Sequence, residues 1–548
     1  MLMGSNRRLA NVKTRRETGF DYVMQNIDLN TPFGKKQLKD IKPFFPGEED
    51  ELRTELDKVE NMVNFIRDNR KTVDQIQQLF MEVKEVSHSI DRSADQVLAV
   101  VEVYEIKSIL LAMRRLLTLT VKGDHHLVPD EFILEDTTDL LDILDPRKDR
   151  INTFYVYDEF SEKLGNLRKH KRDLELKIRR EKKAQKEAIK EKYGVVLTPK
   201  FDIVVSKNHE DIEKIKSIEE LEMVDQDHMS MTFQIKDTDE IFDYVREQEF
   251  VNAEIDEEEA EVLKMISAEI AKHREVLESN CYKMGALDLA IGKADFAIKR
   301  NCTKPVIVPE HVVRIHEGRN LQVEDILKSK GKTYCPNSIE LEDGVTCITG
   351  ANMGGKTISL KLTGQVAILT QYGFFVPCEH AEVGLSNYMQ ILIGDSQSVE
   401  RGLSSFGSEM EELKEMLDFG VERTLYLIDE IASGTNPVEG LALTKSLVDY
   451  LIVKPYIALI TTHFETVTET EGVVNMQVRG LADADFNLLN REIQYAKRRD
   501  RINIISKYMD YRLCKVEKKG EVPKDALNIA KMLGLHSEII EGAKKYIK

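Results

Sequence analysis

At 548 residues the chain is too long for one hydrophobic core, and 42% hydrophobic with 32% charged residues reads as about three globular domains with long exposed helices. A formal net charge of −18 argues against a generic polyanion binder, leaving room only for a local basic patch. The absence of a long apolar run or an apolar leader points to a cytoplasmic protein that crosses no membrane, and six cysteines without C-x-x-C pairing read as reduced thiols.

The first 120 residues have helical periodicity. Thr31-Pro32-Phe33-Gly34 opens a helix that Pro43 and Pro46 close, and Leu52, Leu56, Val59, Val63 and Ile66 fall on one face of another. His125 and His126 are adjacent in an expected loop and read as surface residues, not a metal site. Residues 168–192 form a charged helix with twelve Lys and Arg against five Asp and Glu, a local excess of +7. Phe201–Val205 and Met229–Ile235 have strand character, the second alternating Met229, Met231, Phe233 and Ile235 to one side. Helix is expected to resume from Asp256 to about Ala297. This order, helix out, small mixed tip, helix back, describes an arm. Residues 201–260 carry twenty acids against five bases, a net of −15.

Gly350, Gly355, Lys356 and Thr357 fit the phosphate-loop spacing G-x-x-x-x-G-K-[ST]. The glycines let backbone N–H groups converge on phosphate oxygens, the lysine reaches the β- and γ-phosphates, and the threonine hydroxyl ligates Mg²⁺. The context agrees: Val345–Ile348 is a short apolar strand, and Ile358–Leu369 keeps helical spacing. Leu425–Ile428 is a second apolar strand that ends in Asp429 and Glu430, suited to holding Mg²⁺ and to polarising the attacking water. A third, Ile457–Ile460, leads to His463. Third in this series, the imidazole is expected near the γ-phosphate.

These residues resemble the MutS family. Gly350-Ala351-Asn352-Met353-Gly354-Gly355-Lys356-Thr357 is similar to its loop G-P-N-M-G-G-K-S, adding Asn352 and Gly354 to the expected nucleotide contacts. Leu427–Ile431 with Gly434-Thr435 and Gly440–Ala442 resembles L-D-E-I-G-R-G-T…G-L-A, and Thr462-His463-Phe464 resembles T-H-Y. Gly402–Phe406 with Glu409-Met410 resembles a segment that completes the partner subunit's site, which implies a homodimer with Ser404 and Ser405 acting across the interface. Tyr334 matches the adenine-stacking aromatic. Three positions depart from the pattern: Ser433 replaces an Arg, and Leu392 and Gln397 replace an Arg and an Asp. Phe160-Ser161-Glu162 matches the family's mismatch wedge only incidentally.

The resemblance implies a multidomain α and α/β chain without mismatch-reading and connector domains. The expected parts are an N-terminal tail (1–16), a helical core and outgoing lever (17–198), a small acidic clamp-like tip (199–251), a return lever and core (252–300) and an ABC-type phosphate-loop ATPase domain (301–548). ATP and Mg²⁺ are the expected cofactors. An acidic clamp disfavours DNA, and the basic helix is expected to be engaged by its acidic return arm. That balance favours remodelling of a protein partner, as in the MutS-like ATPase of the reactivase that restores a cobalamin-dependent aminomutase. The alternative is a MutS homologue acting on damaged, mismatched or branched DNA.

Overall fold

The computed structural model describes residues 7–123, 125–350, 355–394, 405–481, 484–495, 501–516 and 525–546. It separates into two compact units, Met1–Gln78 with Gly285–Lys548, and Leu79–Met284. No helix among the described residues is long and apolar enough to cross a membrane. All six cysteines are free, and burial pushes the thiols of Cys281, Cys302 and Cys347 up to about 12, so these three are unreactive at neutral pH.

The first unit is built on a six-stranded sheet of β1 (Gly344–Thr349), β2 (Tyr388–Leu392), β3 (Thr424–Asp429), β4 (Tyr456–Thr461), β5 (Val474–Gly480) and β6 (Asp510–Lys515). Their spatial order is β2-β3-β4-β1-β5-β6, all neighbours parallel except the last pair. Central parallel strands are covered on both faces, which is why β3 and β4 are nearly unbroken apolar runs. Alternate residues go to opposite layers. Ile348, Leu425, Leu427, Ile457 and Leu459 pack with Leu360 and Val366 of the helix Gly355–Gln371. Cys347, Tyr426, Ile428, Ala458 and Ile460 pack with Leu447, Val448 and Leu451 of the helix Pro437–Ile452. The carboxyl ends of β1, β3 and β4 lie side by side, the place where open parallel sheets bind ligands.

Within the N-terminal tail, the segment from Leu9 onward is held against the sheet. Leu9 is buried in the same core, its carbonyl accepts from the Met389 N–H at 2.8 Å, and Thr14 Oγ1 accepts from the Ile391 N–H at 3.2 Å. The segment is drawn in because it covers the otherwise open edge strand β2. The helix Pro32–Lys39 is capped by Thr31, as the sequence predicts, and the buried Asp288 carboxylate accepts from the Thr31 N–H and hydroxyl, both at 2.7 Å.

The second unit contains the helices Glu162–Tyr193 and Asp239–Lys272, which pack along each other and flank a three-stranded antiparallel sheet. Ser230–Ile235 is central, between Asp202–Ser206 and Leu221–Gln226. Arm and tip are therefore not separate parts: Ile189 at the helix end joins Val205, Leu221, Phe233 and Ile235 in one small core. Met229 lies outside the strand and is exposed. The return helix begins at Asp239, not Asp256, because the Thr238 side chain caps it.

Elsewhere in this unit the fully buried Lys107 ammonium lies 3.1 Å from Asp145 Oδ1 and 2.9 Å from the Thr153 carbonyl. Removing one partner strands a buried charge, so Asp145→Ala should destabilise this unit by about 3–5 kcal/mol. A denaturation midpoint equal to that of the wild type would show that the pair is dispensable.

Candidate active site

The phosphate-loop backbone leaves β1 at Gly350, whose φ of 121° lies in a region that side-chain-bearing residues rarely occupy. Gly355 opens the next helix, with Lys356 and Thr357 in its first turn. The Lys356 ammonium is buried, 3.1 Å from the Gly350 carbonyl and 3.0 Å from Glu430 Oε1. His463 converges on the same point: its Nδ1 is 3.4 Å from Lys356 Nζ and its Nε2 is 2.8 Å from Glu430 Oε2.

Thr357 donates its hydroxyl to Asp429 Oδ2 at 2.8 Å. The other oxygen, Oδ1, accepts from the Thr461 hydroxyl at 2.6 Å. Asp429 and Thr461 are register partners across β3 and β4, so the sheet itself aligns the acid. Thr461 also accepts the Glu430 N–H through both its carbonyl and its hydroxyl, at 3.1 Å each. Sequence reasoning misses this residue. Its signal there is a hydroxyl at the last position of an apolar strand, directly before Thr462-His463.

Glu430 and Ala432 both have positive φ, 47° and 60°, a costly backbone conformation for residues with a Cβ. The loop is pinned by hydrogen bonds at both residues: Glu430 through Thr461, and Ala432 through its N–H donated to Glu409 Oε1 at 3.0 Å. Glu409 lies on the helix Ser405–Asp418, so that helix is tied directly to the loop carrying the second acid. Burial opposes ionisation of Glu430, but the ammonium of Lys356 and then His463 outweigh it and hold the carboxyl below the usual range.

A cleft of about 180 Å³ adjoins Glu430 and His463, with Ser433, Thr435 and Phe464 among its walls. Ser433 therefore lies beside the acid in the fold as in the sequence, while Leu392 is buried at the end of β2.

Six predicted residues are thus brought together: Gly350, Lys356, Thr357, Asp429, Glu430 and His463. Gly355 belongs with them by its place at the helix start, where a Cβ would crowd the Val478 side chain. Asn352, Gly354, Ser404 and Gln397 lie outside the described residues, as does the side chain of Ser405. Tyr334 is not part of the cluster. Its ring is only 8% exposed, and burial pushes its phenol up to about 12. Its neighbours Cys335 and Pro336, rather than Tyr334, line a separate cavity of about 450 Å³ together with Lys507 and Arg512.

The donor set fits Mg²⁺. A hydroxyl and a carboxylate within hydrogen-bond distance are hard oxygen ligands, and the loop lysine next to them offers a phosphate a buried cation.

Residues 346–548 match the family model for MutS domain V. The chain is 25% identical over 564 residues to the DNA mismatch repair protein MutS of Salinibacter ruber, an alignment covering 99% of this chain and 58% of that protein. It is 31% identical over 327 residues to the MutS of Carboxydothermus hydrogenoformans, covering 55% of this chain and 36% of the relative. Over 211 residues it is 36% identical to the endonuclease MutS2 of Caldicellulosiruptor bescii, covering 38% and 26%. The chain thus spans little more than half the length of the first of these relatives, and less of the others. The chain is thus similar to MutS and MutS2 proteins, most of all in the residues matching MutS domain V.

Proposed function

We propose that this MutS-type chain binds and hydrolyses ATP with Mg²⁺ as a homodimer, and couples the nucleotide cycle to duplex DNA. The observation that carries the ATPase reading is the convergence of Lys356, Thr357, Asp429, Glu430 and His463 at the ends of three adjacent parallel strands.

In this reading Lys356 exchanges its contact with Glu430 for the β- and γ-phosphates. The freed Glu430 carboxylate orients a water for attack and accepts its proton. His463, hydrogen-bonded to Glu430, holds that carboxylate in place. Thr357 and Asp429 hold Mg²⁺, which supplies charge neutralisation on the phosphates. Asn352 and Gly354 complete the phosphate cradle.

Ser404 and Ser405 act across the dimer interface. Two kinds of chain, one carrying Lys356→Ala and the other Ser404→Ala with Ser405→Ala, should therefore regain one working site per heterodimer when mixed. Hydrolysis per chain should rise with concentration as dimers form. Activity that is independent of concentration, with no complementation, would point to self-contained monomers.

DNA is preferred to a protein partner for two reasons. The relatives are named for DNA mismatch repair and for an endonuclease. The expected neutralisation of the basic helix is also incomplete: Arg168–Glu259 pairs as anticipated, Lys163–Glu258 joins the helices just before the basic run, Lys182 pairs with Asp237 ahead of the return helix, and all three use only one side of it. A reactivase-like role on a cobalamin enzyme draws on the net acidity of residues 201–260 and on a resemblance in domain layout, and no relative named above supports it. The deciding assay measures ATP turnover with and without duplex DNA. Stimulation supports the DNA reading, and a rate indifferent to DNA at low salt returns the protein partner.

A further inference from the structure

The helix Glu162–Tyr193 has two sides of different character. One is buried through Leu164, Leu174 and Ile189, and is flanked by the ion pairs to the return helix. The other carries Lys169, Arg172, Arg179, Arg180, Lys183 and Lys190, with the exposed Leu176 between them. Steps of three and seven residues keep these cations within an arc of about 100°, with the adjacent Arg179 and Arg180 at its two margins. All six are exposed, and none makes an ion pair among the described residues. From Lys169 to Lys190 the stripe is about 31 Å long at 1.5 Å per residue.

We propose that this stripe is a contact surface for the phosphate backbone of double-stranded DNA. A straight cationic rod matches a rod of phosphates, where charge recurs about every 1.7 Å along the duplex axis. The face has no aromatic side chain on which unstacked bases could lie, which favours a duplex over a single strand. It also has no Asn or Gln positioned among the six cations to read base edges, so the contact is to backbone and independent of sequence. The acids on or beside the stripe are Asp173, Glu187 and Glu191, with Glu175 at its opposite margin, still fewer than the six cations. The net −15 of residues 201–260 sits on the tip and the return helix, across the buried row from the stripe.

The inference rests on the DNA reading above, and the experiment separates the two. Full-length protein is titrated with a labelled duplex of about 30 base pairs over a range of salt concentrations, and the logarithm of affinity is plotted against that of salt. Three proteins are compared: the wild type; the quadruple variant Arg172→Ala, Arg179→Ala, Arg180→Ala, Lys183→Ala; and a control, Lys163→Ala with Lys182→Ala, which removes cations already paired.

The quadruple variant should have a slope shallower by about 3–4, at about 0.9 for each phosphate no longer neutralised, with ATP turnover in the absence of DNA unchanged. The control should keep the wild-type slope. A steep wild-type slope that the quadruple variant reproduces would place DNA elsewhere on the chain, removing the stripe and leaving the DNA reading intact. No wild-type binding even at low salt would remove both. Displacement of the duplex by poly-glutamate of equal charge would mark a surface for acidic protein and overturn the assignment to DNA.

Discussion

Replacing Lys356 with alanine should weaken ATP binding by about 10²-fold, the equivalent of one charge-assisted hydrogen bond worth up to about 3 kcal/mol. The ammonium is buried and fixed by the Gly350 carbonyl and Glu430, so it is already oriented when a phosphate arrives. A methionine at 356 keeps most of the buried chain while removing the charge, and should lose affinity to a similar extent. Wild-type affinity in either variant would remove the phosphate-loop assignment, since a packing defect alone would spare the methionine form.

Glu430→Gln separates binding from chemistry. The amide leaves Thr357, Asp429 and Thr461 hydrogen-bonded as they are, so the Mg²⁺ site persists. It also removes a carboxylate that pairs with Lys356 and must give way to phosphate, so ATP affinity should be unchanged or higher. Turnover should fall by about 10²–10⁴-fold, the usual loss for a general base. Because Lys356 and His463 hold the carboxyl below its ordinary value of 4.5, Glu430 is ionised in the free protein at all higher pH. The acid limb of kcat/KM should therefore lie below pH 4.5. A limb near neutrality that disappears in Glu430→Gln would reassign the base.

The active-site core is legible in the sequence because each part is local. A glycine-spaced loop, two acids after an apolar strand and a histidine after another each need only a few consecutive residues. The sheet then brings them together, since β1, β3 and β4 are neighbours. Thr461 escapes because its role is a cross-strand hydrogen bond to Asp429, which depends on register and not on any local pattern. Leu9 escapes for a similar reason: a short apolar segment looks unstructured until the strand it covers is in place. In the sequence the charge of the basic helix is a total, whereas the fold divides it by face. Arg168 and Lys182 are engaged by acids, and Arg172, Arg179 and Lys183 are not.

The central claim is a Mg²⁺-dependent ATP site that turns over through Glu430. The most direct test follows bound and hydrolysed radiolabelled ATP together, with and without Mg²⁺, in the wild type and in Glu430→Gln. The wild type should bind ATP in the micromolar to millimolar range typical of enzymes and release phosphate only with Mg²⁺. Glu430→Gln should retain the nucleotide uncleaved. Phosphate release by Glu430→Gln at the wild-type rate, or no nucleotide bound by the wild type with Mg²⁺ at millimolar ATP, would contradict the account.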